Sequence, residues 1–236
     1  GISGFTALHN IDELKKNLFN LYNVGVDIVT DAHIALERLM DISNLCEGVV
    51  LISGTGNACL GYKNGEYLLT GGGGQLLDEQ GSAYSLVKQA VLQVKLHDEE
   101  GISYNDVDKI ILKYFKAKNF SDLKKYFYEH TKAEVAMCAK HILELKSPNV
   151  DNLVKEQALF LVKQLIIQVR RLNFKNGAVL GLIGGFFKDN QLLIDTIKEL
   201  MEVYSIHLNL VNNVDLVYLG ALRLAKKNYL RGKSLC

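Results

Sequence analysis

A segment of glycine and small hydroxyl residues joins two predicted strands and is the sharpest chemical feature of the sequence: Ser53-Gly54-Thr55-Gly56-Asn57. Glycine lets the backbone approach an anion closely and direct N–H groups towards it, and Thr55 adds a hydroxyl donor. The segment therefore favours phosphate binding. The alternative is a β-hairpin turn in which glycine is needed for a positive φ.

A carboxylate, that of Asp31, lies between a predicted strand at residues 26–29 and a predicted helix that runs to Met40. A carboxylate in this position can act as a general base and remove the proton from a hydroxyl nucleophile. The alternative is that Asp31 caps the helix, because aspartate is a favoured N-cap residue. The spacing alone leaves both roles open.

Four consecutive glycines, residues 71–74, precede a short polar segment, Asp78-Glu79-Gln80, and a predicted helix from Ser82. The glycines predict a mobile loop that a ligand can approach closely. Carboxylates suit sugar hydroxyls, because each carboxylate can accept two such hydrogen bonds. The alternative is that these acids stabilise the dipole of the helix that follows.

A glycine pair, Gly184-Gly185, follows a buried predicted strand and precedes a helix. In many α/β folds the N–H groups of a helix N-terminus bind a nucleotide at this position. The alternative is a tight turn between the strand and the helix.

Composition narrows the class of protein. The chain has 236 residues, of which 48% are hydrophobic and 22% charged, and its formal net charge is +1. This balance argues against a nucleic-acid or membrane-surface partner, which usually requires a strong basic excess. No apolar run reaches the ~18 residues of a membrane span. The four cysteines are too sparse for a disulfide scaffold, so we expect a cytoplasmic protein with reduced thiols.

Strands alternate with helices along the chain, which predicts an α/β protein. The apolar residues 49–52 and 179–183 predict buried strands, and residues 58–62 and 67–70 predict two more that follow the first in hairpin order. The pattern is wholly helical over residues 98–150, approximately. We therefore predict a mixed sheet with helices packed on it and an all-helical insert.

Taken in order, these motifs resemble the N-acetylglucosamine kinase family, within a group that also holds the activator ATPases of 2-hydroxyacyl-CoA dehydratases and benzoyl-CoA reductases. The resemblance runs nearly end to end, and its Ser-Gly-Thr-Gly and Gly-Ser-Ala-Tyr blocks are fairly specific as a set. The matching stretches are Thr30-Asp31-Ala32, residues 48–57, Gly81-Ser82-Ala83-Tyr84, Leu182-Ile183-Gly184-Gly185 and Leu219-Gly220-Ala221.

The resemblance implies an actin-like ATPase fold, in which two RNase-H-like domains enclose a cleft. Residues 1–47 and 216–236 would form the remainder of domain I, and residues 48–215 would form domain II with the helical insert. The family's first phosphate loop, an Asp-Gly-Gly-x-Thr turn, is not found in the sequence. We expect it upstream of Gly1, so that domain I is truncated at its N-terminus and the chain alone is inactive.

The resemblance also implies a reaction, the transfer of a phosphoryl group from ATP to a hydroxyl of an amino sugar. Asp31 would be the catalytic base, and Mg²⁺ would accompany ATP with no metal ligand assigned to the protein. We expect a homodimer. The cofactor-binding residues would be Ser53, Gly54, Thr55, Gly184 and Gly185, and the sugar-binding residues would be Ser3, Gly56, Asn57, Gly73 and Glu79.

The sequence departs from the family pattern in the glycine-rich motif. Gly73 stands where the family has tryptophan, and Glu79 stands where an aspartate is expected. The first change removes an aromatic face on which a sugar could stack, and the second alters the contacts with the sugar hydroxyls. The identity of the sugar therefore stays open, with N-acetylmuramic acid as one candidate. Two alternatives remain. One is an activator-type ATPase, which needs closely placed cysteines for an iron–sulfur cluster, and the other is a non-catalytic sugar-binding paralogue.

Overall fold

The computed structural model describes residues 10–175, 177–188, 190–211 and 214–233. Ser3, which the resemblance assigns to the sugar, lies outside these residues. The helices and strands of the described part are, in chain order, α1 (Ile11–Tyr22), α2 (Asp31–Ser43), β1 (Gly48–Ser53), β2 (Asn57–Lys63), β3 (Glu66–Gly71), α3 (Ala83–Glu100), α4 (Asp106–Tyr114), α5 (Phe120–Glu129), α6 (Lys132–Ala136), α7 (Ala139–Leu143), α8 (Pro148–Leu172), β4 (Val179–Ile183), α9 (Gln191–Val203), β5 (Asn209–Val211) and α10 (Leu219–Lys233).

The strands form one mixed sheet of five in the order β3-β2-β1-β4-β5. β1, β2 and β3 are antiparallel neighbours joined by tight turns, whereas β4 runs parallel to β1 and β5 parallel to β4. The turn between β2 and β3 contains Asn64 and Gly65, which both have a positive φ, as a two-residue hairpin requires. The mixed sheet predicted from the sequence is confirmed.

Both faces of the sheet are buried. Val49 and Leu51 point into the larger core, which contains residues of α3, α8 and α9, and Val50 points into a smaller core that contains residues of α2. Side chains alternate between the two faces along a strand. The continuous apolar run at residues 49–52 therefore requires helices on both sides of the sheet.

Helices α4 to α7 lie within the predicted all-helical insert, and each of them packs against α3. The periodicity predicts one helix over residues 131–146, but the structure has two short ones, α6 and α7. The first of them begins at Lys132 because Thr131 and Glu134 form a capping box, in which each side chain accepts a hydrogen bond from the other residue's N–H. In the described part, none of the helices combines the length and apolarity needed to cross a membrane.

The predicted strand at residues 26–29 is wrong. The segment is irregular and belongs to none of the five strands that the sheet has in the described part of the chain. It leads directly into α2, which begins at Asp31 as predicted.

Helices α2 and α10 cross closely on the second face of the sheet. Gly220 of α10 lies so near the carbonyl group of Ile34 that a side chain there would overlap the α2 backbone. Beside the crossing, Glu37 is buried, and its carboxylate lies 2.7 Å from Lys227 Nζ and 3.4 Å from Arg223 Nε. The assignment of these two helices to domain I stays a prediction.

Replacing Gly220 with alanine should destabilise the protein, because the new methyl group would force the α2 and α10 backbones apart. We expect the free energy of unfolding to fall by about 1–3 kcal/mol, the usual cost of overpacking. The measurement is urea unfolding followed by circular dichroism. Leu222→Ala is the control, because Leu222 is 65% exposed on the same helix and its truncation should cost less than about 0.5 kcal/mol. Equal effects of the two changes would contradict the close crossing.

Candidate functional site

Two cavities meet at the loop between β1 and β2. The loop consists of Gly54, Thr55 and Gly56, and the Gly54 N–H donates to the Gly56 carbonyl at 2.8 Å. Gly54 and Thr55 line both the large cavity, of about 1010 Å³, and the small cavity, of about 470 Å³. A group bound at this loop therefore faces both cavities.

The small cavity brings together the predicted base and three of the predicted sugar-binding residues. These are Asp31, Gly56, Asn57 and Glu79, which come from α2, the β1–β2 loop, β2 and the segment before α3. The rest of the lining is Thr30, Ala32, Ile52, Gly54, Thr55, Ala58, Leu69, Gly72 and Lys132.

Asp31 does not cap α2. Thr30 is the N-cap, since its Oγ1 accepts a hydrogen bond from the His33 N–H at 3.1 Å. Asp31 is the first residue of the helix and is exposed, and its Oδ1 accepts from the Ala32 N–H at 2.9 Å. The capping alternative is therefore wrong, and the Asp31 carboxylate is accessible from the small cavity.

His33 fixes the start of α2 against the edge of the sheet. Its Nδ1 lies 2.7 Å from Thr30 Oγ1, and its ring lies 4.8 Å from that of Tyr67 in β3, measured between centroids. Burial lowers the pKa of His33, and the negative charge of Glu37 opposes this effect only in part. The ring is therefore neutral at pH 7.

Glu79 is buried, at 8% exposure, and pairs with a lysine that no sequence motif marks. Lys132, the first residue of α6, donates from Nζ to Glu79 Oε1. The other oxygen, Oε2, has no hydrogen-bond partner in the described part of the chain. Helix α3 is capped by Ser82 and has no acidic residue in its first turn, so stabilisation of that helix dipole does not explain Glu79.

A polar face of α8 holds segments around the small cavity from within the core. Gln164 Nε2 donates to Asn57 Oδ1 at 2.8 Å, and Gln157 Oε1 accepts from the Gly81 N–H at 2.8 Å. Gln168 donates to backbone carbonyls of both β2 and β3. Spacings of seven and four residues place the three glutamines on one side of a helix, which is the signal in the sequence that could have identified them.

The large cavity lies between the β1–β2 loop and the helical insert. On one side are Gly185 and the N-terminus of α3, where the Ala83 N–H donates to the Gly54 carbonyl at 2.9 Å. On the other side are α6 and α7. The lining combines apolar residues with three lysines, and its members beyond the loop are Ala83, Tyr114, Ala133, Ala136, Met137, Ala139, Lys140, His141, Leu143, Glu144, Lys146, Gly185, Phe186 and Lys188.

Three predicted site residues of the described part line neither of these cavities. Ser53 is fully buried, and its Oγ donates to the Gly81 carbonyl at 2.6 Å. Gly184 lies behind the loop with φ 119°, against the Ser53 carbonyl. Gly73 is exposed, and its neighbour Gly72 lines the small cavity instead. Ser53 and Gly184 therefore support the loop from behind.

The glycines of the β1–β2 loop provide space. Neither Gly54 nor Gly56 has a positive φ, so the hairpin alternative does not explain them. A Cβ at Gly56 would overlap the Glu79 carboxylate and lie 2.5 Å from Lys132 Nζ. A Cβ at Gly54 would meet only the Gly185 nitrogen, at 4.0 Å, so the loop is open to a ligand at that point.

Comparison with known proteins gives a curated relative at low identity. No protein-family model matches the chain. The chain is 28% identical over 191 residues to the N-acetylmuramic acid/N-acetylglucosamine kinase of Clostridium acetobutylicum, an alignment that covers 77% of this chain and 61% of the relative. The chain thus spans about three fifths of the length of that curated relative.

Solved structures of sugar kinases share the fold. A candidate N-acetylglucosamine kinase from Chromobacterium violaceum gives a TM-score of 0.67 at 18% identity, covering 92% of this chain and 72% of that one. A second, from Porphyromonas gingivalis, gives 0.64 at 15% identity with the same coverage. A ROK family glucokinase from Streptomyces griseus, solved with glucose and AMPPNP, gives 0.57 at 16% identity, covering 91% of this chain and 72% of that one.

The chain therefore has the fold of the sugar kinases, and the predicted actin-like ATPase fold is confirmed. The predicted resemblance to N-acetylglucosamine kinases is confirmed as well.

Gly184→Ala should destabilise the protein, because a methyl group at this positive φ would overlap the Ser53 carbonyl. We expect a loss of at least about 2 kcal/mol in the free energy of unfolding. Gly185→Ala is the matched control, since no atom lies within 4 Å of its Cβ position, and it should cost less than about 0.5 kcal/mol. Urea unfolding of both variants measures the difference. Equal stability of the two would show that Gly184 does not buttress the loop.

Proposed function

We propose that the protein is an ATP-dependent kinase that transfers the γ-phosphoryl group of ATP to a hydroxyl of an amino sugar. One observation carries the proposal: the loop at residues 54–56 contributes to both cavities, and the Asp31 carboxylate lines the small one. Phosphoryl transfer is catalysed mainly by positioning the donor and acceptor in line and stabilising the phosphate charge. A loop shared by two cavities can provide that meeting point.

The large cavity suits ATP. Its volume of about 1010 Å³ is at the upper end of the range for small-molecule sites. Ala133, Ala136 and Phe186 offer an apolar surface to the base, while Lys140 and Lys188 bring positive charge. The N-terminus of α3 adjoins the loop, where its dipole favours phosphate.

Within this assignment the predicted cofactor residues divide into two groups. Gly54, Thr55 and Gly185 contact the nucleotide, since they line the large cavity. Ser53 and Gly184 act indirectly, by holding the loop in place.

The small cavity suits the sugar. Glu79 Oε2 is a buried acceptor without a partner in the described part, and a sugar hydroxyl is a donor that can satisfy it. Asn57 and Gly56 line the same cavity. The name of the Clostridium acetobutylicum relative supports an amino sugar as substrate. Gly72, which lines the small cavity, would contact the sugar in place of Gly73, the residue to which the resemblance assigns that contact.

Asp31 is the catalytic base in this proposal. Its carboxylate accepts the proton of the sugar hydroxyl as the oxygen attacks the γ-phosphorus, and the bond between the γ-phosphorus and the bridging oxygen of ADP breaks. Its exposure at the small cavity and its freedom from the capping role support this assignment.

Mg²⁺ fits the site as a companion of the nucleotide. Mg²⁺ prefers oxygen ligands and is usually held by one or two carboxylates together with substrate phosphates. The described residues contain no cluster of three or more metal-binding side chains, so the ATP phosphates would supply most of the ligands. The ion would neutralise charge that develops during transfer.

The remaining assignments rest on the sequence and the resemblance. We propose that residues 1–47 and 216–236 belong to domain I and residues 48–215 to domain II. We further propose a cytoplasmic location, supported by the few cysteines, and a homodimer, which rests on the resemblance alone.

The activator-type alternative gains no support from the cysteines. Burial raises the pKa of Cys59 and of Cys138 to about 12. An iron–sulfur cluster shared between two subunits needs closely placed cysteines at the surface, and Cys59 and Cys138 are both buried in the core. Cys46 is exposed, but Cys59 and Cys138 are buried, so neither of them lies beside Cys46 at the surface.

Asp31→Asn should remove phosphoryl transfer and keep ATP binding, because the amide has the size of the carboxylate but cannot accept the proton. We expect kcat to fall by about 10²- to 10⁴-fold. An assay of ADP release by full-length protein that carries the expected first phosphate loop, against a panel that includes N-acetylglucosamine and N-acetylmuramic acid, measures transfer, and calorimetry measures ATP binding.

Asp195→Asn is the control for this change, because Asp195 lies on α9 with a half-exposed side chain and lines neither cavity. Its activity should equal that of the unmodified protein. Normal transfer by Asp31→Asn would exclude Asp31 as the base. Saturable sugar binding without any sugar phosphate formed by the unmodified protein would favour the non-catalytic paralogue.

A further inference from the structure

Helix α6 contacts both cavities through consecutive residues. Lys132 lines the small cavity, whereas Ala133 and Ala136 line the large one. The helix has only five residues, and a capping box fixes its first turn. Lys132 and Ala133 are therefore parts of one short rigid element, so that a displacement of one carries the other with it.

The ion pair between Lys132 and Glu79, which both line the small cavity, engages only one of the two carboxylate oxygens. Glu79 Oε1 accepts from the lysine, and Oε2 has no partner in the described part. The two side chains are 25% and 7% exposed. A buried acceptor without a partner is costly, so a ligand that donates to Oε2 gains the full benefit of satisfying it. The lysine thus determines which oxygen remains for the ligand.

The pair also lies against the loop between β1 and β2. Gly56 leaves the space that both groups occupy, since a Cβ there would overlap the carboxylate and lie 2.5 Å from Lys132 Nζ. The ammonium group and the carboxylate therefore both lie against the loop shared by the two cavities.

We propose that Lys132 is a positioning residue that orients Glu79 for the sugar and, through α6, couples sugar binding to occupation of the large cavity by nucleotide. This inference rests on the proposed function. A nucleotide in the large cavity restrains Ala133 and Ala136, and hence the backbone that carries Lys132. Part of the entropy cost of fixing the ion pair is then met before the sugar binds, which makes the two binding events mutually favourable.

The first test separates binding from chemistry by steady-state kinetics on the intact protein. Lys132→Met keeps the length and apolar stem of the side chain but removes its charge. It should raise KM for N-acetylglucosamine, or for the amino sugar most active in the panel, by roughly 10- to 100-fold, as loss of a charged hydrogen bond does. Both kcat and KM for ATP should change by less than about threefold. Lys132→Arg should restore sugar KM to within about fivefold of the original.

The second test measures coupling by calorimetry. The dissociation constant for the sugar is determined with and without a saturating non-hydrolysable ATP analogue. In the unmodified protein the analogue should tighten sugar binding by about fivefold or more. In Lys132→Met the two constants should agree within about twofold. A structural role of the lysine alone would weaken both ligands and leave their ratio unchanged.

Lys125→Met is the matched control, because Lys125 lies on α5 of the same insert and its side chain is 77% exposed in an ion pair with Glu129. It should leave sugar KM and the coupling ratio unchanged. If Lys132→Met does not fold, Lys132→Gln, which removes the charge but keeps a polar end, is used in its place, and a rise in sugar KM relative to the Lys125 variant is the criterion.

The inference is overturned if the Lys132 variant keeps the sugar KM of the Lys125 variant, or if coupling is absent in the unmodified protein or persists in the variant. Failure of the unmodified protein to bind or phosphorylate any amino sugar would instead overturn the proposed function. The two failures are therefore distinguishable.

Discussion

The site depends on the hydrogen bonds that fix the end of β1. Ser53 Oγ donates to the Gly81 carbonyl, the Ser53 carbonyl accepts from the Phe186 N–H, and the Gly54 carbonyl accepts from the Ala83 N–H. These bonds join β1, the segment before α3 and the segment after β4 at one buried point. Each group would be costly to leave unsatisfied away from water. The loop between the cavities is consequently held by its base, and its outer residues remain free to contact ligands.

The glutamines of α8 extend the same principle into the core. A helix that packs on a sheet is expected to present apolar residues, yet Gln157, Gln164 and Gln168 are buried on α8. They form hydrogen bonds with the Gly81 N–H, the Asn57 side chain and backbone carbonyls of β2 and β3. A helix in the core thereby fixes the position of segments that line the small cavity. We infer that the shape of that cavity is set from behind by α8.

The sequence predicts the fold well because periodicity and turn residues are local signals. The three hairpin strands extend one residue beyond their predicted ends, at small or polar residues such as Gly48 and Ser53, which hydropathy does not assign to a strand. The break between α6 and α7 was harder to predict, because apolar residues continue across it, as Val135 and Ile142 show. The Thr131–Glu134 capping box marked only the start of α6.

The site is less predictable, because its geometry arises from contacts distant in sequence. The folded chain brings Asp31, Gly56 and Glu79, which the sequence motifs single out, to one cavity. The motifs could not show that Lys132, on a helix of the insert, reaches Glu79. A lysine on a short amphipathic helix is usually solvated, and only the folded chain reveals which carboxylate it meets.

Three glycines show why one residue type in a motif can have several physical causes. At Gly56 the neighbours are the ends of two long side chains, which can move aside. At Gly184 the neighbour is the backbone of Ser53 and the φ is positive, so neither space nor conformation admits a side chain. At Gly220 the conformation is helical and the α2 backbone alone excludes a Cβ. Tolerance of substitution is therefore set by whether the neighbouring atom belongs to a side chain or a backbone: movement of the Glu79–Lys132 pair can make room for a Cβ at Gly56, whereas the backbone leaves none at Gly184 or Gly220.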